Sequence, residues 1–284
     1  MWGGERRSVS ISTGKERLMS EENRKAIRIS VRNLVEFVLR SGDIDNRRSG
    51  NAQKDAMLAG GRIHRKIQKR MGSGYRAEVP LKHEVQDEEQ EITLLVEGRA
   101  DGIFTENGIP VIDEIKGMYT DISRLEEPIE VHLAQAMCYG YFYCCDKDLD
   151  GIRLQMTYCN LETEEIKRFQ TDRSREELET WFSGVVHEYF KWARYLYHHE
   201  LTRDASIGHL EFPFPYRAGQ RDLVVSVYRT VSRKKRLFIQ APTGIGKTLS
   251  TVFPAVRAIG EGKGDKLFCL LYTSPSPRDM RRSR

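Results

Sequence analysis

Two short stretches carry residue types able to do chemistry on phosphate. The first is Gly98-Arg99-Ala100-Asp101, followed after a short hairpin by Asp113-Glu114-Ile115-Lys116. Side chains alternate along a strand, so Glu114 and Lys116 point one way and Asp113 the other. Asp101, on the partner strand across the Asn107-Gly108 turn, can approach Glu114. Two carboxylates brought close repel strongly unless a cation sits between them. Mg²⁺ prefers such hard oxygen ligands and keeps several waters. A water on that metal deprotonates more easily and can attack phosphorus in line. Lys116 would orient that water and offset the charge growing on the phosphoryl oxygens.

The second stretch is Ala241-Pro242-Thr243-Gly244-Ile245-Gly246-Lys247-Thr248. It fits the phosphate-cradling loop pattern except that Ala241 replaces the first Gly. Backbone N–H groups of Thr243, Gly244, Ile245, Gly246 and Lys247 would wrap a β-phosphate at a helix N-terminus. Lys247 would neutralise β- and γ-oxygens, and Thr248 would ligate Mg²⁺.

The elements that must position these groups are legible in outline. Ser30 caps an amphipathic helix bearing Val31, Leu34, Val35, Val38 and Leu39 on one face. A second helix covers Ala52 to Arg70 despite Gly60-Gly61, and Gly72-Ser73-Gly74 ends it. Strands are expected over Tyr75–Val85, Glu91–Arg99, Ala100–Thr105 and Ile109–Ile115, with Asn107-Gly108 as a hairpin signal. A helix follows near Ile129 to Cys144, then strands near Ile152–Cys159 and Glu164–Gln170, then a long helix from Ser174 to about His199. In that last helix Leu178, Trp181, Phe182, Val185, Tyr189 and Trp192 form a stripe that reads as core. This order gives an α/β sandwich, a mixed and mostly antiparallel sheet flanked by helices. A boundary falls before the Pro- and aromatic-rich Leu210–Tyr216. Beyond it are expected a helix at Gln220–Val231, a strand at Arg236–Gln240, a helix from Lys247 to about Ile259, and the start of a strand at Lys266–Leu271.

The chain has 284 residues, 39% hydrophobic and 31% charged, which suits a polar globular protein of one large or two modest domains. No apolar run approaches the roughly 20 residues of a membrane span. Met1 to Met19 lacks the apolar core of a secretory signal, so a cytoplasmic location is expected. The net charge of +5 is concentrated at the ends: residues 1–28 and 271–284 carry +3 each, leaving −1 for the body. Nucleic-acid affinity would therefore come from local patches or bound metal, not from the global field. Cys138, Cys144, Cys145, Cys159 and Cys269 form no C-x-x-C pair and read as buried thiols. Residues 1–28 are expected to be a disordered leader with Met19 as the authentic start. Leu271–Arg284 is expected to be a non-native tail, because its prolines break a strand where one should continue.

The ordered set of Gly61-Arg62-Ile63-His64, Gly98-Arg99-Ala100-Asp101, Asp113-Glu114-Ile115-Lys116 and Gln135 with Tyr139 resembles the PD-(D/E)xK nuclease superfamily, and more closely its RecB-like branch, over about residues 30–200. The resemblance implies that His64, Asp101, Glu114 and the Ile115 carbonyl hold Mg²⁺ or Mn²⁺. It implies further that Lys116 is catalytic and that Gln135 and Tyr139, one helical turn apart, face the site or the DNA. Gln240-Ala241-Pro242-Thr243-Gly244-Ile245-Gly246-Lys247-Thr248, with Pro215-Tyr216 and Gln220 upstream, resembles helicases of the DinG/XPD type of superfamily 2 over about residues 210–270. That resemblance implies a RecA-like ATP-binding domain beginning with a strand, phosphate loop and helix, with Gln220 reading adenine. An acidic ATPase box, an arginine finger and any iron–sulfur cluster would lie beyond residue 270, so ATP binding without hydrolysis is expected of this chain.

The domain expectation is thus a leader at 1–28, a nuclease domain at 29–205, the first part of a helicase ATP-binding domain at 206–270 and a foreign tail at 271–284. The functional expectation is the N-terminal fragment of an ATP-dependent DNA helicase with a fused metal-dependent exonuclease for repair or recombination, acting on single-stranded or end-containing duplex DNA. Two alternatives stand beside it: a front domain that grips DNA without cutting, and a restriction-type endonuclease.

Overall fold

The strand that carries Asp101 runs unbroken for fifteen residues, because different neighbours support its two halves. The computed structural model describes residues 24–41, 50–89, 91–242, 244–264 and 266–267. The expected leader before Arg24, the Met19 start, Thr243, Cys269 and the tail at 271–284 lie outside the described residues. The chain divides into two compact units, Met1–Arg194 and Tyr195–Arg284.

The first unit contains β1 (Lys25–Ser30), α1 (Val31–Val38), α2 (Gly50–Arg70), β2 (Arg76–Gln86), β3 (Ile92–Glu106), β4 (Ile109–Met118), α3 (Glu130–Lys147), β5 (Gly151–Asn160), β6 (Ile166–Ser174) and most of α4 (Arg175–Gly208). The sheet order is β1-β3-β4-β5-β6, with β2 also paired to β3. The β1–β3 and β4–β5 pairs are parallel and the other three antiparallel. This is an α/β unit with a mixed sheet flanked by helices.

Three differences from the sequence reading have physical reasons. Lys25–Arg28 is not part of a leader but lies in β1, where the ladder from Lys25↔Ile92 to Ser30↔Glu97 supplies what a short, charge-rich segment lacks in hydrophobicity. The expected break between Arg99 and Ala100 is absent: β1 supports the first half of β3, β4 the second, and β2 runs along both. Trp192, expected in the core, is 56% exposed and packs edge-on against Phe37 at the end of the buried stripe.

Ser30 Oγ accepts the Asn33 N–H and caps α1, which buries Val31, Leu34 and Val35 completely. Helix α2 is seated on the sheet by Ile63, Ile67, Ile115 and Cys159. Its Gly60 helps: the Gly60 Cα lies 3.6 Å from where a Gly117 Cβ would stand, so helix and strand approach closely. The β3–β4 hairpin turns at Asn107 and Gly108, both at positive φ (52° and 82°), the signature of a two-residue type I′ connection. Helix α3 crosses between the parallel strands β4 and β5 and is buried from Ala134 to Cys144. Cys138, Cys144 and Cys159 are buried free thiols, and burial pushes Cys144 up to about 11.

The second unit contains the end of α4, α5 (Gln220–Ser232) and α6 (Lys247–Gly260). Phe212 stacks on Tyr216 at 4.3 Å and meets Phe253 edge-on, tying the aromatic segment to α6. The expected strand at Arg236–Gln240 is not formed; Phe238 is 94% exposed there. A lone extended segment has no ladder to join among the described residues. Lys266 and Leu267 are likewise irregular, and the rest of the strand expected to Leu271 lies outside the described residues.

Candidate active site

Asp101 stands at the fork where β4 leaves β3. The antiparallel ladder between these strands runs from Glu106↔Ile109 to Gly102↔Asp113 and stops one pair short of Asp101 and Glu114. In place of the next ladder bond, the Asp101 side chain accepts the Ile115 N–H at Oδ2, 2.7 Å away. Its other oxygen lies 3.3 Å from His64 Nδ1, which α2 brings in from above the sheet. Glu114 points to the same face of the sheet. Its Oε1 accepts from Lys116 Nζ at 2.8 Å, and the same ammonium donates to Gln135 Oε1 of α3 at 2.9 Å. Tyr139, one turn further along α3, lies against Gly98: a Cβ there would sit 2.6 Å from the tyrosine hydroxyl. A side chain at the start of the Gly98-Arg99-Ala100-Asp101 run would have to displace the tyrosine ring, whose phenol the Arg99 backbone hydrogen-bonds. His64, Asp101, Glu114, Ile115, Lys116, Gln135 and Tyr139 are thus all brought together.

Their charges are coupled. Glu114 is 4% exposed, and burial pushes its carboxyl up to about 7 against the pull of Lys116, with Asp101 adding to the rise. Burial draws His64 down, but the hydrogen bond and charge of Asp101 outweigh it and hold the imidazole above its ordinary value. Burial raises the Tyr139 phenol, as do Glu114 and Asp101. Each carboxylate takes the donors nearest to it, so Asp101 turns to His64 and Ile115 while Glu114 turns to Lys116. Among the described residues, no three His, Cys, Asp or Glu side chains are gathered into a ready-made metal cluster. One atom of the cluster is left over: among the described residues, the buried Glu114 Oε2 has no hydrogen-bond partner.

Asp113 points to the opposite face, as strand alternation requires. It is fully buried and accepts from Thr157 Oγ1 (2.6 Å), Gln155 Nε2 (3.1 Å) and Tyr75 OH (3.0 Å). Burial lifts its carboxyl above the usual range although all three donors oppose the shift. The Tyr75 ring occupies the space a Gly102 side chain would need, 1.8 Å from a Cβ built there. This network anchors β4 from behind.

In the second unit, Gly244 and Gly246 adopt positive φ (87° and 81°) and lead into the N-terminus of α6. Lys247 Nζ donates to the carbonyls of Ala241 (2.8 Å) and Pro242 (3.4 Å), closing the loop on itself. Thr248 is exposed in the first turn. Gln220 is buried and spans the loop: Oε1 accepts Arg217 N–H and Nε2 donates to Ile245 O. Arg217 bonds the Gly244 carbonyl. Both ends of the Gln220 amide are therefore engaged in holding the loop.

No family model matches the chain. Over 52 residues it is 36% identical to a probable ATP-dependent helicase of Methanocaldococcus jannaschii, a match that covers 17% of this chain. The chain thus spans only 8% of the length of that curated relative. A solved structure, that of the protein SSO0001, aligns with 61% of this chain and 82% of its own at 16% identity and a TM-score of 0.38. The sequence similarity is thus a local one to an ATP-dependent helicase. Among the described residues no helix is long and apolar enough to cross a membrane.

Sequence reading missed two residues of the first site. Gln68, one turn after His64 on α2, donates to the Asp101 backbone carbonyl at 2.9 Å. His132, three residues before Gln135 on α3, lies in the same wall. Burial pushes it down to about 4, helped by the charges of Lys116 and Arg32. In both cases the i+4 or i+3 spacing from a singled-out residue was the available signal.

Proposed function

We propose that the first unit is a metal-dependent deoxyribonuclease of the RecB-like PD-(D/E)xK type, and that residues 206–270 begin an ATP-binding helicase domain in a protein of DNA repair or recombination. The nuclease reading rests on one observation: a single cluster gathers His64, Asp101, Glu114, Lys116, Gln135 and Tyr139, and within it a buried carboxylate oxygen, Glu114 Oε2, has no hydrogen-bond partner among the described residues. An unpaired buried acceptor costs roughly 1–3 kcal/mol and more when charged. A cation placed there would satisfy it, and the oxygen and imidazole donors around it suit Mg²⁺ or Mn²⁺. His64, Asp101, Glu114 and the Ile115 carbonyl would hold that ion, which when bound supplies a water acidic enough to attack phosphorus. Gln135 holds the Lys116 ammonium at the pocket, where it offsets the negative charge that grows on the phosphoryl oxygens. Tyr139 is buried and packs beside Gly98, so it closes the wall behind the two carboxylates. Asp113 and its three donors fix β4 so that Glu114 and Lys116 keep their aim.

The helicase reading of the second unit is supported by the glycine loop at the N-terminus of α6. For the chain as a whole it is supported by the 52-residue similarity to a probable ATP-dependent helicase. Lys247 now rests on its own loop carbonyls, and a nucleotide phosphate would compete for it.

The test is to incubate the full chain and Mn²⁺ with end-labelled single-stranded DNA, linear duplex and covalently closed circles. Progressive loss of both linear substrates with intact circles is expected. Retained binding without any cleavage would favour a DNA-gripping domain, and cuts in the circles a restriction-type endonuclease.

A further inference from the structure

Asp101 lacks ordinary ladder support on both of its flanks. Towards β4 the pairing stops at Gly102↔Asp113, and the Asp101 carboxylate itself takes the Ile115 N–H. Towards β2 the register runs Ala77↔Gly102 and Val79↔Ala100, which puts Glu78 opposite Asp101, yet these two residues are not paired. Glu78 stands at φ 53°, a left-handed conformation that few non-glycine residues adopt and that swings its peptide groups out of the ladder. The Asp101 carbonyl accepts from the Gln68 side-chain amide instead, at 2.9 Å, while the same amide lies 3.4 Å from Glu78 Oε1. Gln68 is four residues after His64 on α2, so one helix face delivers both the imidazole at the Asp101 carboxylate and the amide at the Asp101 backbone.

We infer that Gln68 is a positioning residue: by holding the Asp101 backbone where the sheet does not, it fixes the direction of the Asp101 carboxylate. Its service to cleavage rests on the nuclease reading above; the clamp itself does not. A glutamine suits the task because its amide donates to a carbonyl without adding a charge beside His64 and Asp101. Glutamate at the same position would keep the shape, lose the donor and set a third anion by the fork.

Amide hydrogen exchange and steady-state kinetics on the full chain test the clamp and its use separately, with Gln68→Glu and Gln68→Ala as the variants. The Ile115 amide reports the Asp101 carboxylate directly, and the Ile112 amide, within the intact ladder, is the control. The clamp predicts that both variants speed Ile115 exchange about tenfold and leave Ile112 unchanged. With Mn²⁺ and labelled DNA, kcat should fall at least tenfold with KM for DNA within twofold of wild type. Unchanged Ile115 exchange in both variants would overturn the inference whatever the activity. So would a loss that appears only as a raised KM, or equal acceleration at Ile112, which would mean general loosening. If Ile115 exchange rises while the wild-type chain itself cleaves nothing, the clamp stands and the nuclease reading falls.

Discussion

At Glu114 one carboxylate oxygen accepts from Lys116, and the other has no hydrogen-bond partner among the described residues. Removing the ammonium with Lys116→Ala takes away the group proposed to offset phosphoryl charge. A loss of at least about 10²-fold in Mn²⁺-dependent DNA cleavage is expected, the scale on which single charge-stabilising donors act. Retention of wild-type rates in a gel assay of labelled DNA would remove Lys116 from the chemistry. His132 provides a pH signature. Its Nδ1 lies 3.4 Å from Tyr158 OH, which itself accepts the Ile129 N–H, so the neutral imidazole is the form that fits. The folded value of about 4 lies below the ordinary 6.5 because burial, then Lys116 and Arg32, disfavour the charged form. The unfolded chain therefore binds the proton more readily. The stabilising contribution is complete above pH 6.5 and is lost as pH falls from 6.5 through 4, by at most about 3 kcal/mol. Denaturant unfolding at pH 7 and pH 4.5 should show a smaller loss in His132→Gln than in wild type; parallel losses would contradict the assignment.

Among the elements, the β3–β4 hairpin carries most of the site and depends on what packs behind it. Gly102→Ala would drive a methyl into the Tyr75 ring and break the Tyr75–Asp113 hydrogen bond. A cost of about 2–3 kcal/mol is expected in thermal or urea unfolding, at the upper end of overpacking effects. Because one contact is responsible, Tyr75→Ala combined with Gly102→Ala should cost clearly less than the two singly; strict additivity would show that the two residues are not coupled. The alternation of Glu114 and Lys116 against Asp113, the Asn107-Gly108 turn and the Ser30 cap were readable in the sequence because each is a local property of a few residues. The unbroken β3, the pairing of Lys25–Ser30 with it and the role of Gln68 were not, because each is decided by a partner distant in the chain. Nor was the need for small residues at 98 and 102, where Tyr139 and Tyr75, from other elements, occupy the space beside the glycines. The Arg236–Gln240 segment failed in the opposite sense: its residues favour a strand, but a strand needs neighbours.

For the molecule as a whole, the proposal assigns two phosphate chemistries to two separate units, and each should fail alone. Lys247→Ala is expected to weaken nucleotide binding to the full chain at least about tenfold, near 1.4 kcal/mol, in a fluorescent-nucleotide titration. The same variant should leave Mn²⁺-dependent cleavage within twofold of wild type, and Lys116→Ala should leave nucleotide binding intact. A variant in one unit that abolished both activities would contradict this division. The cleavage predictions at the first site share one proposal, that one divalent cation sits between Asp101 and Glu114. Titration of the full chain with Mn²⁺, followed by the loss of the free-ion electron paramagnetic resonance signal, tests it without recourse to catalysis. The account predicts one site per chain, weakened at least tenfold by Asp101→Asn and by Glu114→Gln. No saturable binding, or binding indifferent to both substitutions, would contradict it.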